Sequence, residues 1–301
     1  MTPSYRVGLI GAGAVGLYYA SFFKEIGASL TIFTRNKEAY NESDFNIESY
    51  LGNRSFNVDD IASYGDLVEP FDLIIVATKV LPSIDIPDLI QPYIKRDTIF
   101  LVIQNGVDIE TPLMGLSHPV VRGLAFICVE RQSFQNISHY DFGKLSWGMI
   151  KGDLNEPSVN KFNHMIDKTL MDQSFDDNIQ FSIWKKLLWN IPFNCLSVYY
   201  GGVDTNYLLT NPIARNHLNQ LMDEVITVSQ KHGIHLTNKH KSDHIGSTEK
   251  MKPYFTSMCL DYKASRPIEL DAILGNFIKI AKKLDCEVPY SRNLYANLVK
   301  N

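Results

Sequence analysis

The chain has 301 residues, 45% hydrophobic and 21% charged, which is material for two hydrophobic cores rather than one. A formal net charge of −4 with no concentrated basic stripe excludes a surface that tracks nucleic-acid phosphates. Apolar runs such as Leu73 to Ala77 are strand-length, and Met1 to Arg6 is polar, so no membrane segment or signal peptide is read and a soluble, cytoplasmic chain is expected.

The first half alternates strand and helix signals. Arg6 to Ile10 is a short apolar run ending in glycine, and Val15 to Ile26 carries a helical pattern with Gly27 as its C-terminal cap. Further strands are expected at Leu30 to Phe33, Leu73 to Ala77, Ile99 to Ile103 and Val120 to Cys128, apolar on both faces as in a buried parallel sheet. Phe45 to Asp59, around Leu51-Gly52-Asn53, reads as a hairpin, and Ser138 to Gly152 as another β segment. A helix is expected from Pro157 to Leu170, then a polar boundary at Met171 to Asn178. Beyond it strand signals vanish, and Ile179 to Tyr200, Pro212 to His232, Lys250 to Ala264 and Pro267 to Leu284 read as helices. The fold class is therefore an α/β Rossmann-type doubly wound domain, residues 1–175, followed by an all-α domain, residues 176–301.

Gly11-Ala12-Gly13-Ala14-Val15-Gly16 follows a strand and opens a helix, the setting in which G-x-G-x-x-G binds a dinucleotide. The first glycine permits the turn, the second lets backbone approach a pyrophosphate, and the third lets helix and strand pack closely. An acid at the end of the second strand would suit NAD; Phe33-Thr34-Arg35-Asn36 offers a cation instead. Arg35 points to the 2′-phosphate of NADP(H), although a solvated loop arginine reads the same way. Lys79 and Asn105 close the third and fourth strands at the ligand-binding edge and are candidate cofactor contacts.

Lys186, Asn190 and Asn194 stand four residues apart on a segment apolar nearly all round, forming a slanting stripe about 12 Å long. Burying an amine and two amides without partners would cost a few kcal/mol each, on the order of magnitude typical for unpaired polar groups. The stripe therefore meets a ligand or other helices. Pro192 lies within it and is expected to kink the helix, with the risk of displacing Asn194.

The chain resembles the ketopantoate reductase (2-dehydropantoate 2-reductase) family. The resemblance is carried by the glycine motif, Thr78-Lys79, Asn105-Gly106, the Lys186/Asn190/Asn194 stripe, and Ser257-Met258, Asp261, Arg266, Glu269, Asp271 and Gly275. It implies NADPH-dependent reduction of a small 2-oxo acid to its 2-hydroxy acid. In that scheme Lys186 is the proton donor, and Asn190, Asn194 and Ser257 bind substrate. Glu269 is the carboxylate near the reacting centre, and Asn105 stands at the cofactor–substrate junction. Asp204 departs from the amide that some members carry. A homodimer is compatible with this resemblance.

Two other readings remain open on the sequence. One is an NADP-binding sensor without catalysis, which would have no use for the lysine, amides and serine. The other is a β-hydroxyacid dehydrogenase-like enzyme, which the Ser257 to Gly275 signature does not suit. His232, His235, His240 and His244 lack an accompanying cysteine or HExxH glutamate, so no metal is expected and they read as exposed histidines on a polar connector. Cys128, Cys195, Cys259 and Cys286 are scattered and are expected to be free thiols.

Overall fold

A computed structural model describes residues 5–40 and 42–300; the start of the polar Met1 to Arg6 stretch lies outside the described residues. The chain forms two compact units, one of residues 1–104 and 110–179, the other of Asn105–Ile109 and Gln180–Asn301. A single cut at 175/176 takes no account of the Asn105–Ile109 excursion, because the contacts that claim those five residues come from far along the chain.

The first unit is built on one mixed sheet. Its strands are β1 (Arg6–Ile10), β2 (Ser29–Thr34), β3 (Asp44–Ser49), β4 (Arg54–Asn57), β5 (Asp60–Ser63), β6 (Leu73–Val76), β7 (Ile99–Val102), β8 (Val120–Arg131), β9 (Asn136–Lys151) and β10 (Gln173–Phe175). They run in the order β4-β3-β9-β8-β7-β6-β1-β2-β5, with β10 also beside β9. From β5 to β8 neighbours are parallel; β8 and β9 pair antiparallel. The expected hairpin is present as β3 and β4, attached to β9 at the sheet's far edge.

Between β1 and β2 runs α1 (Ala14–Glu25), with α2 (Ile86–Ile90) and α3 (Pro157–Lys168) later in the unit. All residues of α1 from Gly16 to Phe23 are buried. The reason is topological: β4 and β5 end opposite edges of the strand order, yet only Val58 and Asp59 connect them. The sheet must therefore curl until its edges approach, and α1 fills the hollow, packing on β1, β2, β4 and β8. Asp59 ties the seam, accepting the Leu30 N–H at 2.7 Å and the Lys24 ammonium at 2.7 Å. The opposite face holds an aromatic cluster of Phe33, Tyr64, Phe71 and Tyr93.

The second unit is helical: α4 (Ile179–Tyr199), α5 (Thr205–Thr210), α6 (Pro212–Lys231), α7 (Asn238–Lys250), α8 (Ser257–Lys263), α9 (Asn276–Lys283) and α10 (Pro289–Leu298). Three expectations are corrected here. Lys250 to Ala264 is not one helix: Pro253 enforces extended backbone before it, and α8 begins only at Ser257, capped by the Thr256 hydroxyl accepting from the Cys259 N–H at 3.2 Å. The polar stretch around His240 and His244, read as a connector, is instead α7, started by a capping box of Thr237 and His240. The Pro267 to Leu284 helix starts later, at Leu270, and its first turn, Asp271–Gly275, is a π-helix. Among the described residues no helix is long and apolar enough to cross a membrane.

Candidate functional site

In the first unit the site-forming feature is the turn from β1 into α1. Gly11 adopts φ +101°, and a Cβ there would lie 2.3 Å from the Thr78 backbone nitrogen. A Cβ on Gly16 would lie 2.4 Å from the Gly11 carbonyl oxygen. Glycine is required at both by close approach. Gly13, between them, is the N-cap of α1; it is exposed, and nothing lies within 4 Å of where its Cβ would be. The Leu17 N–H bonds the Gly13 carbonyl at 3.0 Å, so the N–H groups of Ala14, Val15 and Gly16 precede the first helical bond. The first turn carries no acid. Packed glycines beneath, an open glycine above and unspent donors at a helix N-terminus fit a pyrophosphate.

Around this loop, Arg35 stands exposed in the bend after β2 and forms no ion pair among the described residues. The neighbouring Thr34 hydroxyl is used locally, accepting the Asn36 N–H at 3.2 Å. Lys79 follows β6, half-buried, and the preceding Thr78 is held by the Gln104 amide, 2.9 Å from its carbonyl and 3.0 Å from its hydroxyl.

Arg131 at the end of β8 was invisible to sequence reasoning. Its guanidinium donates to the Ala12 carbonyl of the glycine loop, to the Phe134 carbonyl, to the Tyr40 hydroxyl at 2.7 Å and to the Ser133 carbonyl at 3.0 Å. A fixed cation thus braces the loop from a residue more than a hundred positions away, where no local pattern could announce it.

The second unit contains the amine and amides. Helix α4 runs unbroken from Ile179 through Pro192 to Tyr199, so Asn194 stays on the same helix as Lys186 and Asn190. Lys186 is half-buried, Asn190 is 6% exposed and Asn194 is 3% exposed. The Oδ1 of Asn194 is buried with no hydrogen-bond partner among the described residues. An amide oxygen in that state lacks a donor that a ligand hydroxyl could provide. Next to it, burial pushes the Cys195 thiol up, so it stays a neutral packing group rather than a nucleophile.

Ser257 is brought to this turn of α4 through its neighbour. The Ser197 hydroxyl donates to the Asn194 carbonyl at 2.8 Å and meets the Thr256 hydroxyl at 3.0 Å, both buried. Ser257 itself, first residue of α8, is exposed. Trp189 anchors the adjoining face, with its Nε1–H 3.0 Å from the Thr248 hydroxyl and its ring stacked on Phe193 and Tyr254. Asp204 is occupied as the N-cap of α5, accepting the Tyr207 N–H at 2.9 Å.

Glu269 lies half-buried at the mouth of the π-helix turn, its carbonyl accepting the Ile273 N–H at 3.3 Å. Asn105 belongs to the same unit, because Val107 donates to the Ala272 carbonyl at 3.2 Å and accepts the Asn276 amide at 2.9 Å. The loop that begins at Asn105 is thus bonded to the helix that follows Glu269, and the residue before Ser257 to the turn of α4 that holds Asn194.

The histidines have structural employment: His240 Nδ1 lies 3.0 Å from the Thr237 nitrogen, His244 Nε2 is 2.9 Å from the Lys185 carbonyl, and His232 packs on Trp184.

The ketopantoate reductase PanE/ApbA family profile matches residues 7–152, and the profile of that family's C-terminal domain matches residues 178–300. The chain belongs to the ketopantoate reductase family. It is similar to 2-dehydropantoate 2-reductase of Nostoc sp., 28% identical over 97% of this chain and 94% of that one. The crystal structure of 2-dehydropantoate 2-reductase from Methylococcus capsulatus superposes with a TM-score of 0.86 at 29% identity, covering 98% of this chain and 96% of that one. D-mandelate dehydrogenase, solved with NADH and anilino(oxo)acetate, shares the fold at a TM-score of 0.83 and 20% identity, covering 98% and 97%. The chain is thus an oxidoreductase of a nucleotide-dependent family, with a Rossmann-like sheet domain and a helical C-terminal domain.

Proposed function

We propose that this protein reduces a small 2-oxo acid, ketopantoate foremost, to the 2-hydroxy acid with NADPH, and that Lys186 donates the proton. The observation that carries the reading is the polar stripe on α4: a half-buried ammonium and two buried amides, one with an unmet acceptor, on a helix otherwise packed with apolar side chains.

The glycine loop and the N-terminus of α1 hold the pyrophosphate, Arg35 takes the 2′-phosphate, and Lys79 and Asn105 contribute further cofactor contacts. When bound, the reduced nicotinamide supplies hydride to the ketone carbon. Negative charge then gathers on the carbonyl oxygen, where the Lys186 ammonium stabilises it and delivers its proton. Asn190, Asn194 and Ser257 bind the carboxylate and hydroxyls without adding charge that would compete with Lys186. Glu269 orients the lysine and a substrate hydroxyl.

The test is an NADPH- and NADH-oxidation assay across a panel of 2-oxo acids, with ketopantoate and aryl 2-oxo acids included, on wild type and Lys186→Ala. Wild type should turn over ketopantoate best with NADPH. The variant should lose about 10²- to 10⁴-fold in kcat, as removal of a general acid does, with its NADPH dissociation constant unchanged. Equal kcat would remove Lys186 from the mechanism, and no turnover of any 2-oxo acid by wild type would overturn the assignment.

A further inference from the structure

A π-helix turn carries one residue more than an α-turn, so a carbonyl is displaced from the regular ladder, and such turns concentrate at functional sites. Here the turn is Asp271–Gly275, and the Asn276 N–H reaches back five residues to the Asp271 carbonyl. The Ala272 carbonyl accepts from outside the helix, taking the Val107 N–H at 3.2 Å. The return contact comes from Asn276, whose Nδ2 donates to the Val107 carbonyl at 2.9 Å. Both polar groups of one peptide residue are therefore gripped by one helix.

Three further observations show that this grip is specified. Gly106 sits at φ +114°, and a Cβ there would lie 2.4 Å from the Ala272 carbonyl oxygen, so only glycine allows the approach. The Lys279 ammonium donates to Asn276 Oδ1 at 3.2 Å, which fixes which end of the amide faces Val107. On the other flank Tyr295 of α10 donates to the Asp271 carboxylate; that bond first, and burial second, push the phenol up to about 12. The π-turn is thus held on both sides, directly after Glu269 and against the loop that carries Asn105.

We infer that Asn276 is a positioning residue: with the Ala272 carbonyl it locks the Asn105–Ile109 loop to the Glu269 turn, so that Asn105 and Glu269 are presented as one rigid element. The inference rests on the roles proposed above for those two residues, and Asn276 itself acts only through Val107. An alanine there leaves one peptide carbonyl without its donor. An aspartate of the same shape sets a carboxylate against that carbonyl, which is worse than a gap.

The experiment uses the full chain and the variants Asn276→Ala, Asn276→Asp and Lys279→Met. Hydrogen–deuterium exchange over residues 104–110 reads the lock without reference to turnover: both Asn276 variants should exchange faster at the Val107 amide, with Lys279→Met between them and wild type. Steady-state kinetics with ketopantoate and NADPH should show kcat/KM for the 2-oxo acid reduced about 10- to 100-fold, the scale expected when a reacting constellation is misplaced by about 1 Å. The NADPH dissociation constant should rise far less than kcat/KM falls, because the pyrophosphate cradle is formed by other residues and only the Asn105 contact is loosened. Aspartate should be the more damaging substitution.

Unchanged exchange at Val107 would overturn the lock. Faster exchange with unchanged kcat/KM, or an equal loss in NADPH affinity and kcat/KM, would reduce Asn276 to a packing residue and overturn the positioning role. If wild type reduced no 2-oxo acid, the proposed function would fall while the exchange measurement still decided the lock. Should Asn276→Ala fail to fold, Lys279→Met carries the same comparisons with a smaller effect.

Discussion

Glu224 of α6 is 8% exposed, and its carboxylate serves a different helix. Oε1 accepts the Tyr290 N–H at 2.8 Å, while Oε2 accepts the Ser291 N–H at 2.9 Å and the Ser291 hydroxyl at 2.6 Å. Tyr290 and Ser291 lie in the first turn of α10, behind Pro289, whose missing N–H needs no partner. The carboxylate is therefore an N-cap supplied from 66 residues away, aligned with the positive end of the helix.

Replacing Glu224 with Ala leaves one buried and one part-buried N–H group and the buried Ser291 hydroxyl without their acceptor, at about 1–3 kcal/mol each, partly relieved if water enters, so a loss of about 3–5 kcal/mol is expected. Gln keeps the volume, but its amide accepts through one oxygen and turns NH₂ toward the other donor, for about 2–3 kcal/mol. Ser291→Ala removes one bond and should lose about 1 kcal/mol. At about 2–4 °C per kcal/mol for chains approaching this size, the series should spread over roughly 10 °C in Tm, ordered Ser291→Ala, Glu224→Gln, Glu224→Ala. Circular-dichroism melts give the order, and hydrogen exchange at Tyr290 and Ser291 locates the damage. A Glu224→Ala protein melting within a degree of wild type would refute the remote cap.

Two further outcomes are expected. Arg35→Ala should weaken NADPH binding at least about tenfold, the scale of a lost charge-assisted contact, and leave NADH binding unchanged in a titration of nicotinamide fluorescence; equal losses for both would remove Arg35 from cofactor selection. For Asp72, burial is the largest single influence and acts to raise its pKa, but the Arg6 N–H at 2.8 Å and the Lys161 and Lys95 ammonium groups, both at 2.9 Å, together outweigh it and hold the carboxyl below its ordinary value. A lowered native pKa means stability fully present above the unfolded-state value and lost as pH falls through the native one. Asp72→Asn should therefore be less stable than wild type by a constant margin from about pH 5 to 7, with the margin closing below about pH 4. A margin independent of pH in urea melts would contradict this.

The strand–glycine turn–helix unit, the central strands and α4 were legible because each is encoded by its own residues: apolar runs, glycines at fixed offsets, a helix apolar nearly all round. The candidate site residues on those elements were chosen from the same local patterns. Other parts depend on partners distant in the chain. α10 takes its cap from Glu224, and Pro267 to Leu284 hides its π-turn because the Ala272 carbonyl in that turn accepts from Val107, far away in the sequence. α7 buries little beyond Ile245 and Thr248, so its apolar periodicity is too weak to separate helix from connector. β5 and β10, four and three residues long, exist through pairing with β2 and β9 rather than through any local pattern.

A helix enclosed by its own sheet has nowhere to fray. Tyr18 and Phe22 meet Arg54 of β4, Tyr19 bonds the Lys144 carbonyl of β9, and α1 also packs on β1 and β2, so α1 cannot dock until distant stretches of chain have met. If the glycine turn at its head holds the nucleotide as proposed, that cradle is complete whenever the domain is folded, and the entropy of shaping it is settled during folding rather than on nucleotide capture. The same arrangement ties assembly of the cradle to long-range closure, the slow kind of step, so refolding and recovery of nucleotide affinity should share one rate.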